Sequence, residues 1–390
     1  MHRILISILV AGIAVACGGG GGGDAPPPAP TPIALGDPMP GLSPAMLDAF
    51  ERGREVFLHR FTRSEGHGPD FNTSSCRSCH ENPVTGGSSP LYRNFVLVAN
   101  VGAGGFLPAM EDDQFVARTF SYERKQRETI PANADVVAPR NAPPMFGIGM
   151  LDSIPVADIR ANEDPNDLDG DGISGRINLD ASRLGRFGYK AQNANLEGFI
   201  RGPLFNHMGI TSDPISPTLT GDEFTSIAQV GVPDESTTDN DGVADPEISN
   251  ADLSDLLVFT SSLAPPAPLP MNAEALRGEQ LFDQVNCTAC HIPNLVGSGT
   301  PIRAYSDLLL HDMGPGLADG VFQGRATGSE FRTQPLWGLR HTAPFLHDGR
   351  AATIERAIEF HGGEAEDARN AFVALVPADR AAVIAFLETR

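Results

Sequence analysis

Two copies of one short pattern constrain the fold and chemistry of this chain more than any other feature. Two cysteines, separated by two residues and followed at once by a histidine, occur at residues 76–80 and again at residues 287–291. C-x-x-C-H is the pattern to which c-type haem is attached: both thiols bond to the haem, and the histidine becomes the proximal ligand of the iron. A zinc site would need four such ligands at one place, and a redox dithiol does not require the histidine. We therefore predict two covalent haems, bound by Cys76, Cys79, His80, Cys287, Cys290 and His291.

The N-terminal region predicts export from a bacterial cytoplasm. Arg3 precedes about twelve mostly apolar residues, too few to span a bilayer, and small residues then lead to Cys17. This arrangement predicts a signal peptide over residues 1–16, with Cys17 as the acylated first residue of a lipoprotein; ordinary cleavage after Ala16 is the alternative. Residues 17–43 are rich in glycine and proline, which is typical of a disordered tether. We expect the protein at the periplasmic face of a membrane, held only by its lipid anchor.

The charge balance narrows the choice of partners. The 390 residues carry a formal net charge of −21 at pH 7. Binding to the phosphate backbone of nucleic acids needs clustered lysine and arginine, so we expect no nucleic-acid partner. An acidic protein attracts basic molecules, and a haem protein exchanges electrons. We therefore predict a redox partner protein, such as a basic cytochrome or a cupredoxin, together with a small oxidant as substrate.

The sequence around the first motif is repeated around the second. A helix-forming segment with an Arg-Gly pair precedes each motif, at residues 52–53 and 277–278, and each half ends in an apolar helical segment. A helix before C-x-x-C-H and another at the end is the arrangement of a cytochrome c domain. We predict a mainly α fold with two cytochrome-c-like domains, at residues 44–264 and 271–390, joined by a proline-rich linker at residues 265–270. The first domain is longer and is therefore enlarged by insertions.

An aspartate-rich loop in the first half predicts a bound cation. Residues 167–172 have the form D-x-D-G-D-G, in which alternate carboxylates and intervening glycines let a tight turn direct several oxygens toward one centre. Calcium prefers such ligands, and the candidates are Asp167, Asp169 and Asp171. The loop is not a complete EF-hand, because Asn178 stands where the bidentate glutamate would be. An aspartate- and glycine-rich surface turn without an ion is the alternative.

The body of the chain, about residues 45–390, resembles the dihaem proteins labelled thiol oxidoreductases. These are relatives of the bacterial dihaem cytochrome c peroxidases and of the dihaem enzyme that matures methylamine dehydrogenase. The resemblance implies two haem c groups and an oxidoreductase activity. It rests on both C-x-x-C-H motifs, on the aspartate loop, and on further segments in the same order at residues 142–155, 185–191, 208–211, 305–318 and 345–364.

The resemblance implies a sixth ligand for the second haem. In the peroxidases this ligand lies on a helix after a turn that corresponds to residues 345–349. The ligand position then falls on His361, where the peroxidases carry methionine and the maturation enzyme carries tyrosine. Ligation by His291 and His361 gives a lower reduction potential than ligation by histidine and methionine. Met313 is the alternative sixth ligand.

The first haem lacks the corresponding ligand. The peroxidases carry a displaceable histidine shortly after the first C-x-x-C-H, whereas this sequence has no histidine between residues 81 and 206. The first iron therefore has an open position, or it is bound by His67 or His207. A haem with an open position can bind peroxide or oxygen, whereas a haem with two strong protein ligands transfers electrons.

Two residues near the first haem are candidates for catalysis. The resemblance places Tyr189 where the peroxidases have a tryptophan between the haems, and His207 where they have the glutamate that moves a proton. An imidazole can transfer protons near neutral pH, and tyrosine can relay an electron. We predict an oxidoreductase that moves electrons between two haems and reduces an oxidant at the first, as a peroxidase does. The alternative is a non-catalytic electron-transfer cytochrome in which both irons are six-coordinate.

Overall fold

Helices account for most of the regular structure that the computed structural model describes. The description covers residues 33–102, 105–109, 115–124, 129–215, 237–295 and 301–390; the predicted signal peptide at residues 1–16 and the first part of the predicted tether lie outside it. Within these ranges, no helix is long and apolar enough to cross a bilayer. The α-helices are α1 (Pro44–Leu58), α2 (Ile148–Asp152), α3 (Val156–Arg160), α4 (Leu196–Met208), α5 (Asn250–Ser262), α6 (Ala273–Gln284), α7 (Ile354–Glu359), α8 (Glu366–Ala374) and α9 (Pro377–Glu388).

Short strands form small antiparallel sheets between the helices, a feature that the mainly α prediction does not include. The longest strand, β2, lies between β3 and β5, and its register places Val98 opposite Val137. This three-stranded sheet belongs to the enlarged first half, so part of the predicted insertion is β-structure. The expected helical character is present beside it. The strands are β1 (Asp70–Phe71), β2 (Phe95–Gly102), β3 (Gly105–Pro108), β4 (Phe120–Ser121), β5 (Val136–Arg140), β6 (Leu179–Asp180), β7 (Arg183–Leu184), β8 (Leu310–Asp312) and β9 (Glu330–Arg332).

A glycine lies at the helix crossing in each half. α1 packs against α5 and α6 packs against α9. A Cβ atom added to Gly53 would lie 1.9 Å from the carbonyl oxygen of Asp255, and one added to Gly278 would lie 1.9 Å from that of Ala382. Only a residue without a Cβ atom permits backbones to approach this closely. The Arg-Gly pairs found in the sequence therefore mark the two points where the helices cross.

An ion pair occurs at the same position of the helix crossing in each half. The arginine before each glycine pairs with an aspartate of the facing helix: Arg52 with Asp255, and Arg277 with Asp379, at 2.6 Å in both cases. A surface ion pair contributes only about 0–1 kcal/mol, so these pairs set the register of the helices more than they stabilise them. Both halves thus share one local architecture around their motifs.

Gly278→Ala is expected to lower the free energy of unfolding by about 1–3 kcal/mol, because the new methyl group forces α6 away from α9. Gly316→Ala is the matched control. Gly316 is exposed and an added Cβ atom would meet nothing within 4 Å, so its replacement should change stability by less than about 0.5 kcal/mol. Urea unfolding of the haem-loaded protein, followed by circular dichroism, measures both variants. Equal stability of the two would contradict the close crossing.

The apolar core runs across the sequence halves. By its contacts, Ile33–Arg390 forms one unit. The largest apolar cluster joins Phe50 and Phe259 of the first half with Leu308 and Leu309 of the second. The domain boundaries expected from the sequence, at residues 44–264, 265–270 and 271–390, stay a prediction.

Candidate haem sites

The second C-x-x-C-H motif opens onto the larger of two cavities, whose volume is about 530 Å³. Cys287, Cys290 and His291 lie on its wall, directly after α6. Burial lowers the pKa of His291 to about 4, so its ring is neutral. The ring donates from Nδ1 to the carbonyl oxygen of Tyr305 at 2.9 Å, which leaves the lone pair on Nε2. A neutral imidazole held in this way is the usual form of a metal-binding histidine.

His361 lies on the wall of the same cavity, after α7. Its Nδ1 donates to the carbonyl oxygen of Ala357 at 2.7 Å, and burial lowers its pKa. The lone pair is therefore on Nε2, as it is in His291. Met313 also lines this cavity, so both residues predicted as the sixth ligand are present. The hydrogen bond favours His361, because it orients the ring as a ligand.

The first motif opens onto the smaller cavity, whose volume is about 310 Å³. Cys76, Cys79 and His80 line it. Burial lowers the pKa of His80 to about 4, and its Nδ1 donates to the carbonyl oxygen of Gly87 at 3.2 Å. His80 thus has the same ring orientation as His291. Both motifs therefore present two thiols and one oriented imidazole to a cavity.

His67 is ruled out as a ligand by its own hydrogen bonds. Its Nε2 donates to the carbonyl oxygen of Thr73 at 2.9 Å, and its Nδ1 accepts from the hydroxyl of Tyr122 at 2.9 Å. Both ring nitrogens are therefore occupied, and the residue is not on the wall of the smaller cavity. The expectation that His67 is an alternative ligand of the first haem is wrong.

His207, the penultimate residue of α4, does line the smaller cavity. Its ring lies edge-on against Phe95, with 4.5 Å between the ring centroids. Its Nδ1 faces the side-chain nitrogen of Asn72 at 3.2 Å. Burial lowers the pKa of His207 to about 3, with a smaller contribution from the charge of Arg118. His207 is therefore a neutral imidazole on the same cavity as the predicted proximal ligand.

Tyr189 contributes to the walls of both cavities. Burial raises the pKa of its hydroxyl, so the phenol stays protonated. Its ring lies 6.4 Å from that of His347, which lines the larger cavity. Trp337 lines the larger cavity but not the smaller one. Of these two aromatic residues, Tyr189 is therefore the one positioned between the two sites.

A buried arginine fits the propionate of a haem. Arg332 lines the larger cavity and is only 7% exposed. Its guanidinium donates to the carbonyl oxygen of Gly188 at 3.1 Å and to Oε1 of Gln334 at 2.8 Å, but pairs with no carboxylate among the described residues. An unpaired buried charge is costly, so a carboxylate ligand would stabilise it. Arg140, by contrast, is already paired with the buried Asp319.

The residues that line both cavities fit a haem group. The larger cavity supplies two thiols, two oriented histidines, an apolar wall and Arg332, which has no carboxylate partner among the described residues. On the wall of the smaller cavity, Arg93 has a buried Nε atom without a hydrogen-bond partner. The residues present therefore suit an apolar group that carries carboxylates.

A protonated histidine that no sequence motif marks lies beside the second motif. His311 is 3% exposed, and its two ring nitrogens donate to Asp307 at 2.9 Å and to Glu364 at 2.8 Å. Although burial lowers its pKa, the hydrogen bonds to Asp307 and Glu364 raise it well above the ordinary value of histidine. Glu364 also accepts from the hydroxyl of Ser174 at 2.7 Å. This cluster joins the end of the aspartate-rich loop to the surroundings of the second haem site.

The carboxylates that lie close together in the aspartate loop are not the three that the sequence predicted. Oxygen atoms of Asp164, Asp167 and Asp169 lie within 4.8 Å of one another. Asp171 is not in this cluster, and its carboxylate accepts from the backbone nitrogen of Ile173 at 2.8 Å. The choice of Asp171 as a third ligand is therefore corrected to Asp164, which stands only three residues before the loop. That calcium binds there stays a prediction.

One family model and several solved structures are similar to this chain. A family model described as "Di-haem oxidoreductase, putative peroxidase" matches residues 112–390. Among solved structures, a MauG-like protein associated with microbial copper homeostasis is 18% identical, with 90% of this chain and 92% of that chain covered and a TM-score of 0.41. The diheme peroxidase BthA from Burkholderia thailandensis E264 is 17% identical, with 91% and 87% covered and a TM-score of 0.45. No curated protein matches the sequence.

The family match covers well over half of the chain and includes the second C-x-x-C-H motif. It begins after the first motif, so the assignment of the first haem to Cys76, Cys79 and His80 depends on that motif and its cavity. The residues of both sites fit the cofactor that the family description names. The chain therefore belongs to the di-haem oxidoreductase family, as the resemblance of its motifs predicted.

Proposed function

We propose that this protein is an exported di-haem c-type oxidoreductase that passes electrons from its second haem to its first and reduces a peroxide-like oxidant there. The observation that carries the proposal is a difference between the cavities. In the larger one, His291 and His361 both present an Nε2 lone pair. Among the described residues that line the smaller one, only His80 does so, because Nδ1 of His207 is an acceptor and the proton is therefore on Nε2.

This difference supports separate roles for the two sites. When bound, haem iron supplies the electrons and, where a position is open, the place at which an oxidant binds. His291 and His361 would close the second site to oxidants and keep it as an electron store. His80 alone would leave an open position on the first iron. The two sites thus divide electron storage from reduction.

His207 and Tyr189 supply the remaining chemistry. Reduction of one hydrogen peroxide molecule to two water molecules takes two electrons and two protons. His207 lies at the first cavity as a neutral imidazole, so it can donate a hydrogen bond to the oxidant and pass protons toward it. Tyr189 lies against both cavities and offers an aromatic route between them.

A relay without catalysis is the second candidate function. It is favoured by the position of His207 on the same cavity wall as His80. If the ring changed tautomer, its Nε2 would be free to bind the first iron, and both haems would then be six-coordinate. The protein would pass electrons between partners and would not reduce an oxidant.

Export, anchoring and the redox partner complete the proposal. The signal-like residues 1–16 and Cys17 support a periplasmic lipoprotein, since c-type haem is attached outside the bacterial cytoplasm. The net charge of −21 supports a basic electron donor, such as a cytochrome or a cupredoxin.

Anaerobic mixing of the fully reduced protein with one equivalent of hydrogen peroxide tests the proposed activity. Because one peroxide takes two electrons, both reduced haem absorption bands should disappear within the mixing experiment. Carbon monoxide, which occupies an open ferrous haem, should prevent this when added first. If the absorption bands of the reduced haems persisted after peroxide was added, or if carbon monoxide did not slow their loss, the proposal would be contradicted and the relay favoured.

The calcium prediction has its own test. Asp167→Asn should weaken calcium binding by about tenfold or more, since calcium affinity depends on the number of charged ligands. Asp171→Asn removes the same charge from the same loop but outside the carboxylate cluster, and it should leave binding nearly unchanged. Isothermal titration of chelator-treated protein with calcium chloride measures both. Absence of binding in the unmodified protein, or a larger loss in Asp171→Asn, would refute this assignment.

A further inference from the structure

We propose that Asn72 fixes the proton of His207 on Nε2, so that the first cavity presents a hydrogen-bond donor and selects small ligands that accept a hydrogen bond, above all small anions. This inference rests on the proposed open position at the first haem. It makes Asn72 a positioning residue, because Asn72 acts through His207.

The orientation of the Asn72 amide is fixed by its neighbours. Its Oδ1 accepts from the backbone nitrogen of Thr119 at 2.9 Å and from the hydroxyl of Thr119 at 3.1 Å. Its backbone nitrogen donates to the carbonyl oxygen of His207 at 2.8 Å. With the oxygen committed to Thr119, the NH₂ group must be the atom that faces the His207 ring.

The amide in turn decides where the imidazole carries its proton. The Asn72 NH₂ group can only donate, and it lies 3.2 Å from Nδ1 of His207. Nδ1 must therefore be the acceptor, and in a neutral ring the single proton is then on Nε2. Phe95 packs edge-on against the ring and restrains its rotation. The cavity thus meets an N–H group and not a lone pair.

This polarity is opposite to that of the three candidate iron ligands. His80, His291 and His361 each donate from Nδ1 to a backbone carbonyl, at distances between 2.7 and 3.2 Å. A carbonyl accepts only, so it places the lone pair on Nε2, whereas an amide NH₂ places the proton there. The chain therefore uses one type of neighbour for rings that bind iron and the other type for His207.

A fixed donor determines the class of ligand that the site takes. An N–H group in a buried cavity stabilises a ligand atom that carries negative charge or a free lone pair, and such charge-assisted hydrogen bonds are the stronger ones. A ligand that can only donate would leave the Nε2 proton unpaired. We expect fluoride, the smallest anion that binds open ferric haem, to detect this donor.

Asn72→Asp reverses the polarity while keeping the shape. A carboxylate can still accept from Thr119, but it turns Nδ1 of His207 into a donor and moves the lone pair to Nε2. Fluoride binding is measured near pH 8, where the ring of His207 is neutral. The variant should bind fluoride at least about tenfold more weakly than the unmodified protein. Where Nε2 reaches the iron, the high-spin absorption and electron paramagnetic resonance signals of the first haem should also become low-spin.

Gln192→Glu is the matched control for charge. Gln192 lines the same cavity and makes no contact with His207 in the described structure, so this variant adds the same negative charge without changing the imidazole. Asn72→Asp should weaken fluoride binding clearly more than Gln192→Glu does. His207→Phe, which removes the donor outright, should also weaken fluoride binding about tenfold, and it serves as the second test if Asn72→Asp does not fold.

The outcomes separate this inference from the proposed function. An unmodified protein that binds fluoride, together with equal effects of Asn72→Asp and Gln192→Glu and no new low-spin signal, would overturn the role of Asn72 alone. Unchanged fluoride affinity in His207→Phe would overturn the donor. An unmodified protein that binds no fluoride would overturn the open position, and with it both proposals.

Discussion

His361→Ala is expected to convert the second haem from low-spin to high-spin and to let it bind cyanide. His361 shares the larger cavity with His291, and its Nδ1 bond to Ala357 directs the ring as a ligand. Removing the imidazole leaves the second iron with one protein ligand. His361→Met should instead keep the iron six-coordinate and raise its reduction potential, because histidine–methionine ligation favours the ferrous state. Absorption spectra and a spectroelectrochemical titration measure both effects.

His347→Ala is the control for this prediction. His347 lies on the wall of the same cavity, but its ring stacks on Phe331 at 4.4 Å between centroids. Its replacement should leave the second haem low-spin. If His361→Ala were to leave the haem low-spin while Met313→Leu made it high-spin, Met313 would be the sixth ligand and the assignment of His361 would be wrong.

His207→Ala is expected to lower kcat for peroxide reduction by about 100-fold or more, which is the usual effect of removing a group that transfers protons. The first haem should remain high-spin, because His207 is not its ligand. Steady-state turnover with a reduced electron donor, measured together with the ferric absorption spectrum, tests both statements. His59→Ala is the control, since His59 is an exposed histidine paired with Glu65 at 3.0 Å and should not affect turnover.

The combined readout separates two roles for His207. If His207 were an iron ligand, His207→Ala would create a high-spin signal that the unmodified protein lacks. If turnover and spectrum were both unchanged, His207 would have neither role. We expect a lower kcat in His207→Ala than in the unmodified protein, and a high-spin signal of the first haem in both.

The chemistry of the sites was predictable because it is local in sequence. A C-x-x-C-H turn contains both thiols and the histidine in adjacent positions, so no knowledge of the fold is needed to expect haem. The Arg-Gly pairs at residues 52–53 and 277–278 were likewise visible, and the structure places both glycines at helix crossings. The family membership follows from the same motifs and their order.

The neighbours that set the state of each histidine were not predictable. Asn72 and His207 lie far apart in the sequence and meet only because β1 and the end of α4 pack together. His311 likewise needs Asp307 from its own segment and Glu364 from after α7. No periodicity or motif marks such long-range contacts, because they depend on how the loops close.

In the aspartate loop, too, the sequence did not show which side chains lie close together. Its spacing predicted converging carboxylates, and Asp167 and Asp169 do converge. The direction of each side chain depends on the backbone of the turn, and there Asp171 binds the Ile173 nitrogen while Asp164 joins from outside the motif. Spacing alone counts carboxylates but does not show which way each one points.

Low-temperature electron paramagnetic resonance of the fully oxidised protein, with and without cyanide, shows whether the first iron has an open position and the second does not. We predict one high-spin signal, from the first haem, that cyanide converts to low-spin, and one low-spin signal, from the haem at His291 and His361, that cyanide leaves unchanged. Two low-spin signals that both ignore cyanide, in the oxidised and in the half-reduced protein, would contradict this prediction. The protein would then be a relay between redox partners.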